Sequence, residues 1–284
     1  MYQEYWGFKE KPFENTPDPR FIYYSAKHEE ALTRLLYAVT ERKGAAMLSG
    51  DYGSGKTLLS RMLIAKLLSE DARYRIALIV NPAIPKEELL CEIAYQFGQE
   101  ITREDKKSDL LHKLNDIFYR NMSDKKHSVI IIDEAQTIED ASTFDELRLL
   151  LNFQLNEMFL LTLLLIGQPE LKELIDKVPQ FKQRLAIRYH LQALDPRETA
   201  EYIKHRCFVA CRQDAPFSDK AAALIYNASK GIPREINNIC DLCLVIGLGE
   251  KASLIDGDIA SQVIRDVKPE VFLTNNLIGE KQNG

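Results

Sequence analysis

Gly50-Asp51-Tyr52-Gly53-Ser54-Gly55-Lys56-Thr57 fits the pattern G-x-x-x-x-G-K-[ST], and its reading decides the fold. Glycines at 50, 53 and 55 are expected to let successive backbone N–H groups turn inward on an anion. A helix starting near Thr57 adds partial positive charge from its N-terminal end. Lys56 is placed to contact β- and γ-phosphates, and the Thr57 hydroxyl to ligate Mg²⁺. The flanks supply the context that the pattern requires. Ala45-Ala46-Met47-Leu48-Ser49 reads as a short buried strand, and the apolar positions from Leu58 to Leu68 have helical spacing. Strand, loop and helix together imply a nucleoside-triphosphate site lined by Gly50, Asp51, Tyr52, Gly53, Ser54, Gly55, Lys56, Thr57 and Leu58.

Downstream, Arg75–Asn81 reads as a second strand, followed by helices near 85–98 and 107–122. Ser128-Val129-Ile130-Ile131-Ile132-Asp133-Glu134 is then a buried strand ending in two carboxylates, the Walker B pattern. Asp133 faces the metal held at Thr57, and Glu134 polarises the attacking water as general base. Residues 144–157 read as an amphipathic helix and Phe159–Ile166 as a fully buried strand. That strand ends in Gly167-Gln168-Pro169, so Gln168 is the polar side chain at its tip that can reach a γ-phosphate or the lytic water. Arg184 and Arg188 come before and within a short last strand. Alternating helices and continuous apolar strands indicate a parallel sheet covered on both faces.

From Asp195 the pattern is helical only, with Asp195 as N-cap and Pro196 at the first helical position, and helices to about 212 and near 218–229, 233–249 and 256–267. The first 26 residues are aromatic-rich and broken by Pro12, Pro17 and Pro19, which predicts an extended, non-helical arm. Its Trp6, Phe8, Phe13, Phe21, Tyr23 and Tyr24 are read as core anchors; a second reading has Phe21 to Tyr24 border an adenine base.

With 45% hydrophobic and 28% charged residues among 284, the composition is that of an ordinary globular protein. No signal peptide or membrane span is read in the chain, and the expected compartment is the cytoplasm. The net charge of −5 is evenly spread and no Lys/Arg run exceeds two residues, so nucleic-acid binding is possible but unsupported by charge. Five cysteines include C-x₃-C and C-x₂-C pairs at Cys207, Cys211, Cys240 and Cys243. They fall in helical patterns, which favours core packing over a zinc knuckle.

These motifs resemble the AAA+ ATPases, and within them the ATPase module of the general secretion pathway protein A (ExeA) family. The resemblance rests on Tyr5-Trp6-Gly7-Phe8-Lys9-Glu10-Lys11-Pro12-Phe13, Pro17-Asp18-Pro19, His28-Glu29-Glu30-Ala31-Leu32, Asp133-Glu134-Ala135-Gln136, Leu165-Ile166-Gly167-Gln168-Pro169-Glu170-Leu171 and Gly231-Ile232-Pro233-Arg234. It implies an α/β P-loop NTPase fold, a three-layer parallel sheet with a C-terminal all-helical lid. The expected division is 1–192 for the arm plus nucleotide-binding domain, 193–268 for the lid and 269–284 for a flexible tail. Gln168 would stand at the sensor-1 position. Arg184 or Arg188 would be an arginine finger acting in trans, and Arg234 sensor 2.

The implied cofactors are ATP or ADP with Mg²⁺, and the implied partners are further copies of the chain and an envelope secretion system. The resemblance also implies that full secretion-pathway members continue into a membrane span and a peptidoglycan-binding region. This chain is therefore expected to be a part of such a protein or a stand-alone relative. AAA+ regulators of transposition are a more distant resemblance, and a low-turnover nucleotide-dependent switch is the remaining alternative.

Overall fold

Val129 and Ile131 belong to one apolar core and their neighbours Ile130 and Ile132 to another. A strand turns successive side chains to opposite faces, so a strand apolar at every position must be covered on both sides. That covering organises the larger part of the chain. The computed structural model describes residues 1–69, 73–102, 105–155 and 158–269.

In chain order the structure begins with α1 (Tyr2–Trp6), α2 (Ala26–Thr40), β1 (Ala45–Gly50) and α3 (Lys56–Ser69). Next come β2 (Tyr74–Ile79), α4 (Lys86–Gln96), α5 (Lys107–Ser123), β3 (His127–Ile132) and α6 (Ser142–Leu150). A short hairpin, β4 (Gln154–Leu155) and β5 (Met158–Phe159), precedes β6 (Leu161–Gly167), α7 (Glu170–Asp176), α8 (Pro179–Lys182) and β7 (Leu185–Leu191). The last helices are α9 (Pro196–Val209), α10 (Asp219–Ser229), α11 (Pro233–Gly249) and α12 (Gly257–Val267).

The chain forms two compact units. The first comprises residues 26–52 and 56–192 and holds a five-stranded sheet in the order β2-β3-β6-β1-β7, parallel throughout. Ala46, Leu48, Leu164 and Ile166 pack on one face with Leu35, Leu59 and Leu63 of α2 and α3. Met47, Leu163 and Leu165 pack on the other with residues of α4, α5 and α6. Helix, sheet and helix are the three layers that the sequence pattern predicts.

The second unit comprises residues 1–25, 53–55 and the chain from 193 onward. Asp195 caps α9 reciprocally: its carboxylate accepts from Glu198 N at 2.8 Å, and the Glu198 carboxylate accepts from Asp195 N at 2.9 Å. The core of this unit contains Trp6, Phe8, Phe13 and Phe21 of the arm. Trp6 Nε1 donates to Leu244 O at 2.9 Å, and its ring lies over Gly247, where a Cβ would come within 2.8 Å of it.

The sequence reading counts the arm with the α/β domain. The structure assigns it to the helical unit, because its aromatic rings complete a core that α9 to α12 leave open.

Four further expectations change. The arm is not wholly extended: α1 forms before its prolines begin and stops at Gly7, whose φ of 72° suits glycine. Tyr24 is exposed rather than an anchor. The helix read over 144–157 ends at Leu150, Gln154–Leu155 pairs antiparallel with Met158–Phe159, and Leu155 and Met158 are exposed; positions 156–157 of that reading lie outside the described residues. Cys211 sits exposed just beyond α9, whereas Cys207, Cys240 and Cys243 are core residues.

The predicted tail falls almost entirely outside the described residues. Among the described residues no helix is long and apolar enough to cross a membrane. Trp6→Ala should cost about 3–5 kcal/mol of stability, by lost burial plus the cavity left behind. Urea titration of both proteins checks this; an unchanged midpoint would remove the arm from the core.

Candidate functional site

β1 lies between β6 and β7, and the parallel register sets Ser49 beside Gly167 and Ile132 beside Leu165. The C-terminal ends of β1, β3 and β6 therefore open on one edge of the sheet. In an open parallel sheet that edge is where the following loops and helix N-termini gather.

From Gly50 the chain turns through residues 51–55 into α3. Gly53 and Gly55 take the left-handed φ values of 80° and 101° that a Cβ would strain. Gly50 does not: it ends β1 with an ordinary strand backbone, so two of the three loop glycines carry the conformational requirement. α3 begins at Lys56, one residue ahead of the predicted start.

Lys56 is only 5% exposed, and its Nζ donates to Gly50 O at 2.8 Å and Asp51 O at 2.9 Å. Burial holds this ammonium below the ordinary lysine range, and the charges of Glu134 and Asp133 pull it back up. A buried cation at a helix N-terminus is suited to phosphate oxygens. Asp51 and Tyr52 are exposed, Ser54 is buried and Leu58 is half-buried along the same loop.

Asp133 follows β3 and is 4% exposed. Burial raises its carboxyl above the usual range, while hydrogen bonds from Glu134 N, at 3.0 Å, and from the Thr57 hydroxyl lower it. The Thr57 hydroxyl thus lies close to the Asp133 carboxylate. Two hard oxygen donors at a partly dry strand end fit Mg²⁺, which takes few protein ligands and completes its shell with water and phosphate.

Glu134 has φ 52° and ψ 34°, a left-handed conformation uncommon outside glycine. Thr137 holds that turn, donating from both its N and Oγ1 to Glu134 O at 2.9 Å. Across the edge, Gln168 Nε2 reaches the Glu134 Oε2 at 3.5 Å. Between them lies Gln136, whose carboxamide touches both residues. Sequence reasoning quoted Gln136 within a motif and gave it no role; no spacing rule could find a contact set by the register of β3 against β6.

The structure therefore brings Lys56, Thr57, Asp133, Glu134 and Gln168 together. The two arginines before and within β7 lie elsewhere. Leu185 pairs with Ala45, so Arg184 stands at the opposite end of the sheet, roughly 20 Å of strand from Gly50. Its Nη2 donates to Asn152 Oδ1 at 3.0 Å. Arg188 pairs with Met47 at mid-strand, is exposed, and donates to Lys182 O at 2.6 Å.

In the helical unit, Arg234 is the second residue of α11. Its N–H donates to Gly53 O at 3.3 Å, and its Cβ lies 2.6 Å from where a Gly53 Cβ would stand.

A family model described as an AAA domain matches residues 39–175. General secretion pathway protein A of Aeromonas hydrophila is 35% identical over 263 residues, which are 92% of this chain and 47% of that relative. The chain thus spans about half the length of the relative it matches.

Among solved structures, the Aeropyrum pernix ORC2 protein in ADPNP-ADP complexes covers 90% of this chain and 72% of its own, at TM-score 0.65 and 18% identity. The Thermotoga maritima RuvB Holliday junction branch migration motor covers 86% and 70%, at TM-score 0.58 and 18% identity. Likeness at that identity establishes the fold, a P-loop NTPase architecture.

Gly53→Ala combines a forbidden φ with a clash against Arg234 and should cost about 1–3 kcal/mol of stability. Thermal melts of the two proteins check this, and an unaltered Tm would show that the loop tip has room to shift.

Proposed function

We propose that the chain is an AAA+ P-loop protein that binds ATP and hydrolyses it in a Mg²⁺-dependent reaction completed by a neighbouring copy. One observation carries the reading: a buried ammonium, a hydroxyl–carboxylate pair and a second carboxylate meet on one edge of the sheet. Lys56 binds the β- and γ-phosphates, and the loop amides from Asp51 to Thr57 hold the remaining oxygens. Mg²⁺, when bound, neutralises phosphate charge, and Thr57 and Asp133 are the residues that would hold it. Glu134 takes the proton of the attacking water, and Gln168 holds that water or the γ-phosphate in place. Arg234 contributes from the start of α11 as the nucleotide-sensing arginine.

Arg184 or Arg188 serves a second copy of the chain. Because Arg184 stands at the far end of its own sheet, this reading makes activity a property of an assembly. The similarity to general secretion pathway protein A supports a role in assembling or gating an envelope secretion system. The even charge distribution gives DNA-dependent action no comparable support.

Glu134→Gln should retain ATP and lower turnover by about 10²–10⁴-fold. Steady-state phosphate release with a nucleotide-binding titration reads both quantities, and an unchanged rate would remove Glu134 as the base.

Removing the finger, in Arg184→Ala or Arg188→Ala, should cost about 10³–10⁵ in rate. The wild-type specific activity should rise steeply with protein concentration. Mixing the finger variant with Glu134→Gln should restore part of the activity that each lacks alone. A flat concentration dependence with no recovery from either mixture would sink the trans reading. Hydrolysis stimulated by duplex DNA and not by peptidoglycan fragments would move the pathway away from secretion.

A further inference from the structure

The carboxamide of Gln136 is committed at both ends. Its Oε1 accepts from Gln168 N at 2.9 Å, and its Nε2 donates to Glu134 Oε2 at 2.6 Å. The orientation is fixed by chemistry. A backbone N–H can only donate and a carboxylate can only accept, so the reversed amide would lose both bonds. Bonds to a charged acceptor are also the shorter and stronger kind. Gln136 is therefore a polar crossbar between the chain ends that follow β3 and β6.

The neighbouring backbone keeps room for it. At Gly167 a Cβ would stand 2.7 Å from Gln136 Oε1, and any side chain there would push the crossbar out. Glu134 Oε2 also receives Gln168 Nε2 at 3.5 Å. One carboxylate oxygen is thus engaged by amide donors, and Oε1 is the oxygen left to accept a proton.

We infer that Gln136 is a positioning residue: it fixes which oxygen of Glu134 faces the attacking water and ties that oxygen to the strand that carries Gln168. This rests on the hydrolytic reading above. Gln136 acts on the chemistry through the Glu134 carboxylate, with the Gln168 backbone N–H as its anchor, and it makes no bond of its own to ATP. Its loss therefore lowers kcat and leaves the ATP Kd unchanged, since displacing a reacting group by about 1 Å is worth about 10²-fold.

Three variants separate this from a structural role, each compared with the full chain for kcat, ATP Kd and Tm. Gln136→Met removes both polar ends at similar length. Gln136→Glu keeps the acceptor for Gln168 N and replaces the donor to Glu134 by a carboxylate oxygen, which repels Glu134 Oε2 instead of holding it. Gly167→Ala leaves Gln136 intact and displaces it. All three should lose about 10²-fold in kcat with ATP Kd unchanged. In a Glu134→Gln background, Gln136→Met should have no further effect on the residual rate.

Wild-type kcat in Gln136→Glu overturns the inference, and so does a kcat loss matched by an equal loss of ATP affinity. An additional loss in the Glu134→Gln background also overturns it. If Gln136→Met is too unstable to assay, Gln136→Glu decides by the same criteria. A wild-type chain that never hydrolyses ATP overturns the functional reading and this inference together, whereas a hydrolysing wild type indifferent to Gln136 overturns this inference alone.

Discussion

The site depends on a lysine ammonium that has lost nearly all of its water. A buried charge must recover by hydrogen bonding what it loses in hydration, and Lys56 does so through the carbonyls of Gly50 and Asp51. The two carbonyls satisfy two of the three ammonium donors without neutralising the charge, so the ammonium stays available to a phosphate. The arrangement requires a loop that doubles back within a few residues, which Gly53 and Gly55 allow through left-handed φ values. It also requires β1 to end where it does, between two strands that hold it by backbone pairing. Asp133 is subject to the same dehydration with the opposite sign. Its raised carboxyl and its bond from Thr57 leave a carboxylate best satisfied by a cation.

The two units solve burial differently. In the α/β unit the strands β1, β3 and β6 are apolar at almost every position, so the alternation of strand side chains sorts one sequence run into two cores. In the helical unit α9 to α12 do not close a core by themselves. The arm supplies rings to it, and Gly247 on α11 admits Trp6 where any side chain would collide. Arg206, 6% exposed, holds the arm by donating to the carbonyls of Pro12 and Glu14 while its guanidinium lies 4.6 Å from the Phe21 ring centroid. Polar and apolar terms thus fix the same segment.

What the sequence disclosed follows from how locally each feature is determined. The phosphate loop was legible because its glycines, lysine and threonine act through their own backbone and a helix that starts within the motif. The carboxylates after β3 were legible because a run of β-branched residues ending in acids has few other uses in a strand. The α9 start at Asp195 was legible for the same reason, since its cap is four residues long.

The hairpin at 154–159 was not legible, because Leu155 and Met158 have the apolar character of core residues and yet stand in solvent. The allegiance of the arm was hidden because its partners lie some two hundred positions away in sequence. Gln136 was hidden too: its role exists only when the ends of β3 and β6 are side by side.

The register of the sheet also constrains how the site can be completed. β7 pairs with β1 so that Arg184 lies one residue before the level of Ala45, while the phosphate loop begins after Gly50. A side chain of arginine cannot cover the intervening strand length, since each residue of strand advances the chain by about 3.3 Å. If Arg184 acts on a γ-phosphate, it acts on that of another copy. The geometry that keeps Arg184 away from its own nucleotide is then what makes turnover report assembly. A chain alone would hold ATP with Lys56, Thr57 and Asp133 in place and the last charge missing. Binding and hydrolysis would separate in time, with the formation of a contact between copies as the event that joins them.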